Sequence, residues 1–169
     1  MGDKECLLQQ IFDNVNNWLH FAEAKNAALI AFNIALMAVI VDTNLFSSYI
    51  LLFSIIIIGV LISTIFALYS FKPINETLKK TSNSNLEENL LHFAYIASLE
   101  QEEYIKKLYD HYWGERNKDI SAVPMLYKDY CNEIIANSRI TLRKQAYFKY
   151  SFYIVMLVII VIGMLVVCA

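Results

Sequence analysis

Asn44–Phe71 reads NLFSSYILLFSIIIIGVLISTIFALYSF, 28 residues without one charged side chain. A helix needs about 20 apolar residues to cross a hydrocarbon core of about 30 Å, so this run is long enough to span a membrane. Tyr150–Ala169, YSFYIVMLVIIVIGMLVVCA, supplies a second such run of 20 residues. Ala27–Val41 is a third, with 15 residues and Asn33 as its one strongly polar member. At 1.5 Å per residue it reaches only about 22 Å. Lys25 can lengthen it by lifting its ammonium toward the headgroups. The sequence therefore predicts three spans.

Composition agrees. Of 169 residues, 57% are hydrophobic and 18% charged, with a mean hydropathy of +0.43. Ordinary soluble domains run at roughly 45–50% and about 25%. Only four glycines and two prolines are present, so tight turns are scarce. The composition excludes a disordered chain and a collagen-like repeat, and the few glycines and prolines argue against a β-sandwich and a glycine-rich phosphate-loop fold. Long helices are what remains.

Charge sets the orientation. All 14 Lys and Arg residues fall on one side: Lys4 and Lys25 before the first span, and 12 within Lys72–Lys149. None lies in the connection Asp42–Ser48. The positive-inside rule then places the N-terminus and residues 72–149 in the cytoplasm. The short connection and the C-terminus face outward. Trp18, Phe21, Tyr69, Phe71, Tyr147, Phe148, Tyr150, Phe152 and Tyr153 mark the inner boundaries, as an aromatic belt does. The N-terminal residues carry acids and amides and no cleavage site, so no secretory signal is expected.

Residues 4–41 hold no Gly or Pro and read as one helix, about 57 Å long. Its first half carries Leu7, Leu8, Ile11, Val15, Trp18 and Leu19 at helical spacing. Thr81–Asn85 reads as a polar loop in which Ser84 or Asn85 caps a helix from Leu86 to Trp113. Gly114–Pro124 is a second loop. The last helix then runs from Met125 to the end of the chain. The expected fold is all-α: three transmembrane helices extending into a cytoplasmic helical bundle, with one additional cytoplasmic helix. The expected organisation is a stalk helix over 1–26, a transmembrane hairpin over 27–71, a cytoplasmic helical region over 72–149 and a third transmembrane helix over 150–169.

Three side-chain patterns stand out. Ala24, Ala28, Ala31, Ala35 and Ala38 form a heptad seam of small residues in the first span. In lipid such seams let backbones approach closely, either within a subunit or between subunits. Asn26 and Asn33 lie seven apart, on one face. An amide in hydrocarbon needs a partner, which another helix or a pore supplies. Arg139, Arg143 and Lys144 fall within six residues at the inner end of the last span. They suit anionic headgroups or a phosphate-bearing ligand. Asn137 and Ser138 add neutral hydrogen-bonding groups, and Lys25 sits at the inner mouth of the first span.

Other chemistry has little footing. Cys6, Cys131 and Cys168 are odd in number and widely spaced, and read as reduced thiols. His20, His92 and His111 form no metal-binding motif. No Walker loop or dinucleotide fingerprint occurs, and no cofactor, metal or catalytic residue is expected.

Three segments resemble the membrane effectors of Pycsar antiphage systems. The first is Asn17-Trp18-Leu19-His20-Phe21-Ala22-Glu23-Ala24-Lys25-Asn26-Ala27-Ala28, followed by Asn33. The second is Leu91-His92-Phe93-Ala94-Tyr95-Ile96-Ala97, with Glu103-Tyr104 and Leu108. The third is Ile134, Asn137-Ser138-Arg139-Ile140 and Lys144. Ala94-Tyr95 departs from the family pattern, which has a glycine and a polar residue there. The plan is also similar to the small nucleotide-sensing membrane effectors of other bacterial defence systems, including Hailong.

The resemblance implies a non-enzymatic effector in the bacterial inner membrane. Residues 72–149 would sense a nucleotide or short oligonucleotide made by a partner cyclase or nucleotidyltransferase. The nucleotide-binding candidates are Arg139, Arg143, Lys144, Asn137, Ser138 and Lys25. One set of three spans encloses no aqueous path, so a pore requires a homo-oligomer. The other reading is a membrane anchor or scaffold that recruits a cytoplasmic partner.

Overall fold

The computed structural model describes residues 2–42, 50–72, 87–116 and 118–168. Among the described residues five helices occur: α1 (Asp3–Asp42), α2 (Ile50–Tyr69), α3 (Phe93–Ile96), α4 (Gln101–His111) and α5 (Met125–Cys168), with a 3-10 turn at Ile120–Ala122. No strand occurs among the described residues. α1, α2 and α5 are each long and apolar enough to cross a membrane. The expected connection Asp42–Ser48 and the capped loop Thr81–Asn85 lie outside the described residues, apart from Asp42.

Two compact units emerge, and α1 and α5 contribute to both. The polar unit comprises residues 1–21 and 74–143. Its core takes Leu8, Ile11 and Val15 from α1, Tyr104, Ile105, Leu108 and Tyr109 from α4, and Cys131, Ile134 and Ile135 from α5. Separations of three and four residues within each helix put these side chains on one face. Tyr104 is buried to its hydroxyl, which donates to the Leu90 carbonyl at 3.0 Å.

Where one helix over 86–113 was expected, the structure has two short ones. His92 is the N-cap of α3, its Nδ1 accepting from the Ala94 N–H at 3.3 Å. Chain 97–100 then leaves the helical path before α4 begins. The carbonyls of Ala97 and Leu99 are taken by Arg139, 42 and 40 positions away. A local reading sees no breaker here because the competing donor is remote in sequence. Gly114 follows α4 with φ +67°, a conformation open to glycine at little cost.

The membrane unit comprises residues 22–73 and 144–169. Its interior takes Ala22, Asn26, Leu29, Asn33 and Ile40 from α1, Ile56, Val60, Ser63 and Ala67 from α2, and Lys144, Ser151, Val155 and Val158 from α5. Large apolar side chains cover the outside, among them Ile34, Leu51, Ile58, Ile65, Leu157 and Ile160. A surface this apolar suits lipid rather than water. Gly59 permits close approach of α5: a Cβ there would lie 2.7 Å from Val158 Cγ2.

Candidate functional site

In the polar unit the segments singled out in the sequence meet. Asn137 Nδ2 donates to Asn16 Oδ1 at 2.9 Å across 121 positions of chain. Asn14 Nδ2 donates to the Leu91 carbonyl at 3.1 Å. The Trp18 ring lies 5.5 Å from Phe93, 6.4 Å from His92 and 6.2 Å from Phe21. Such ring separations suit edge-to-face and offset contacts. Arg139 completes the arrangement. Its Nε donates to the Ala97 carbonyl at 3.2 Å and its Nη2 to the Leu99 carbonyl at 2.9 Å, with Glu100 Oε1 at 3.4 Å. Its side chain is only 12% exposed. The planar guanidinium meets two divergent acceptors at once, which an ammonium does less well. Ser138 is fully buried, and its hydroxyl has no partner among the described residues.

Two charge clusters flank α4. Glu88 Oε1 accepts from Lys107 at 2.6 Å, with His111 Nε2 at 3.6 Å. The Lys107 hydrogen bond holds the Glu88 carboxyl below the usual carboxylate range and raises Lys107. Glu115 accepts from Lys118 at 2.8 Å and from Lys4, whose ammonium also lies 4.7 Å from the Tyr109 ring centroid. Lys118 and then Lys4 lower the Glu115 carboxyl. Burial pushes the Cys131 thiol up to about 12, so it stays protonated and unreactive at neutral pH.

The remaining candidates belong to the membrane unit. Lys144 is buried, its ammonium donating to the Ser70 carbonyl at 2.9 Å and pairing with Glu23 at 3.1 Å. Asn26 Nδ2 donates to the Ala22 carbonyl at 2.8 Å and to the Lys144 carbonyl at 3.3 Å. The Lys25 ammonium sits 4.8 Å from the Phe148 ring centroid. Deeper in the unit, Ser63 and Ser151 exchange hydrogen bonds, each hydroxyl donating to the other's carbonyl at 2.9 and 2.7 Å. That leaves Ser63 Oγ as the acceptor for Asn33 Nδ2, at 2.9 Å. Asn33 is thus placed in the interhelical clasp that an amide in lipid requires. Ala24, Ala28, Ala31, Ala35 and Ala38 are all exposed on α1 among the described residues.

A family model for the Pycsar effector protein domain matches residues 7–169. The chain belongs to the Pycsar effector family. No curated protein and no solved structure matches it. The match includes all three resembling segments.

In this Pycsar effector the sequence marked Arg139, Asn137 and Lys144 but not their partners. Ala97 and Leu99 act through carbonyls, which carry no side-chain signal. Ser151 is one hydroxyl in an apolar run, and Ser70 acts through its carbonyl too. Among the described residues no group of three His, Cys, Asp or Glu side chains is placed to hold a metal ion. The arrangement offers fixed positive charge, neutral amides and aromatic faces, which bind and orient anions and rings.

Proposed function

We propose that this Pycsar effector is a homo-oligomeric pore of the bacterial inner membrane, gated by a nucleotide or short oligonucleotide. Family membership makes it an antiphage membrane effector and implies a signal from a partner cyclase. The observation that supports gating is the Arg139 arrangement: a guanidinium with little exposure holds the carbonyls between α3 and α4. A ligand phosphate competes for the same donors, with Asn137 and Ser138 next to Arg139 in the chain and Arg143 one helical turn on. Transfer of Arg139 from carbonyls to phosphate frees that turn. Such a ligand shifts the equilibrium by its differential affinity for the two arrangements and no more.

Self-association draws support from the alanine seam, which is exposed along α1. Small residues there permit close helix contact in lipid, where dispersion and packing drive association. The charge asymmetry supports residues 72–149 and the N-terminus as cytoplasmic.

Purified protein in dye-loaded liposomes tests the reading. Cyclic mononucleotides, cyclic dinucleotides and short oligonucleotides are added in turn. At least one should change release severalfold. No change with any of them favours the anchor reading. Orientation is tested by impermeant maleimide on intact cells in a Cys6→Ser, Cys168→Ser background: Val167→Cys should label and Asn89→Cys should not.

A further inference from the structure

We propose that the groove at the end of α2 is a binding site for one anionic phospholipid. The groove has a volume of about 400 Å³ and is lined by Ile65, Leu68, Tyr69 and Lys72. These positions step by 3, 1 and 3, so one face of the helix carries them all. The carbonyl of Tyr69 accepts from the Lys72 N–H at 3.3 Å, which keeps the turn continuous with the helix. Tyr69 is held by Tyr147 of α5, with ring centroids 6.3 Å apart and planes at 30°. Apolar wall and ammonium therefore follow one another along the axis, with about 10 Å between Ile65 and Lys72.

The membrane unit has four lysines, and three of them have an aromatic face. Lys25 lies over Phe148 at 4.8 Å, Lys144 over Phe71 at 5.4 Å and Lys149 over Tyr153 at 5.9 Å. Lys144 also has the Ser70 carbonyl and Glu23. Lys72 is exposed, and its ammonium has no such partner among the described residues.

A diacyl phospholipid matches this order of groups. Its phosphate meets Lys72 at the level where the apolar run of α2 stops. Its glycerol backbone lies beside Tyr69, an amphipathic ring suited to that depth. The first acyl carbons run along Leu68 and Ile65. A second copy of the chain fits less well, because a two-fold contact here brings the two Lys72 ammoniums together. An anionic lipid supplies the opposite charge and remains in the membrane.

The test uses the full chain in neutral detergent, stripped of lipid and titrated with short-chain phosphatidylglycerol or phosphatidylcholine of equal acyl length. Native mass spectrometry counts bound lipid. One phosphatidylglycerol per chain is expected, about tenfold tighter than phosphatidylcholine, as one charge-assisted contact gives. Lys72→Gln should erase that preference, and Lys149→Gln should change it less than about twofold. Leu68→Ser should weaken both lipids about fivefold through lost apolar contact. Glycerol phosphate without chains should compete at least about a hundredfold less well. Helical circular dichroism confirms that each variant is folded. Equal losses from Lys72→Gln and Lys149→Gln would reduce the effect to diffuse surface charge. Equal affinity for the two lipids, or competition by glycerol phosphate as strong as by phosphatidylglycerol, would also overturn the site.

Discussion

Arg139 Nε donates to the Ala97 carbonyl at 3.2 Å, and the same guanidinium reaches Leu99 two residues later. One side chain of α5 thus terminates α3 and sets the path to α4.

Replacing Arg139 by Ala removes both contacts. A hydrogen bond to a charged group contributes roughly 1.5–3 kcal/mol. Arg139→Ala should therefore lower the unfolding free energy of the polar unit by about 2 kcal/mol. It should also abolish the response of liposome release to the signal while leaving membrane insertion intact. Lys149→Ala, at an exposed position, should change both quantities little. Arg139→Lys separates the two roles. An ammonium retains the charge for a phosphate but holds two divergent carbonyls poorly, so stability falls and part of the response returns. Equal, small effects of Arg139→Ala and Lys149→Ala would make the basic cluster a lipid anchor and move the signal site elsewhere.

In the membrane unit, Asn33 joins the Ser63–Ser151 pair. Interhelical hydrogen bonds between side chains in lipid average about 0.6 kcal/mol and reach about 1.7. Asn33→Ala also trims packing in the interior, so thermal unfolding in detergent should fall by about 1–2 kcal/mol. Ser63→Ala should cost a similar amount, and the double substitution less than the sum, because the two share one hydrogen bond. Full additivity would mean that the two side chains do not interact in the membrane.

Cys131 and Cys6 should part company in alkylation. Cys131 is 1% exposed with its thiol pushed up to about 12, and Cys6 is exposed. In a Cys168→Ser background, iodoacetamide at pH 8 should modify Cys6 and spare Cys131 until the chain unfolds. The sign of the pH dependence follows from the direction of the shift. The unfolded thiol releases its proton near the ordinary value of 9.0, and the folded one holds it to about 12. Between those limits the unfolded state binds fewer protons, so this group's contribution to stability falls as pH rises. Fast modification of Cys131 in the folded protein would contradict its burial.

The long elements were legible because local composition decides them. Residues 4–41 lack any breaker, and the chain forms α1 over Asp3–Asp42. Pro124 marked the start of α5 at Met125. Leu8, Ile11 and Val15 were legible as a buried face from their spacing, whereas Trp18 on the same periodicity is 37% exposed. The break between α3 and α4 was hidden, since its cause is a donor 40 positions away. The burial of Lys144 was hidden for the same reason: a lysine in a basic run reads as solvated until Ser70 and Glu23 close around it. Contacts made through carbonyls leave no trace in residue type.

The alanine seam carries the last prediction. Asn26, Leu29, Asn33 and Ile40 turn inward on α1, so Ala24, Ala28, Ala31, Ala35 and Ala38 fall on outer positions of the same helix. Ala31→Leu adds volume to a face that is exposed among the described residues. A monomer should tolerate it, with unfolding unchanged within about 0.5 kcal/mol. An oligomer packed through that seam should lose about 1–3 kcal/mol per contact by overpacking, or roughly 5- to 150-fold in association. Size-exclusion with light scattering in detergent, over a range of protein concentrations, reads both. Wild type should associate, and Ala31→Leu should shift toward monomer with the same thermal unfolding. Ile34→Leu, at an exposed position just off the seam, should leave association unchanged. A wild-type protein that stays monomeric at every concentration would defeat the pore, because three helices enclose no aqueous path of their own. An oligomer indifferent to Ala31→Leu would keep the pore and assign its contact to another face.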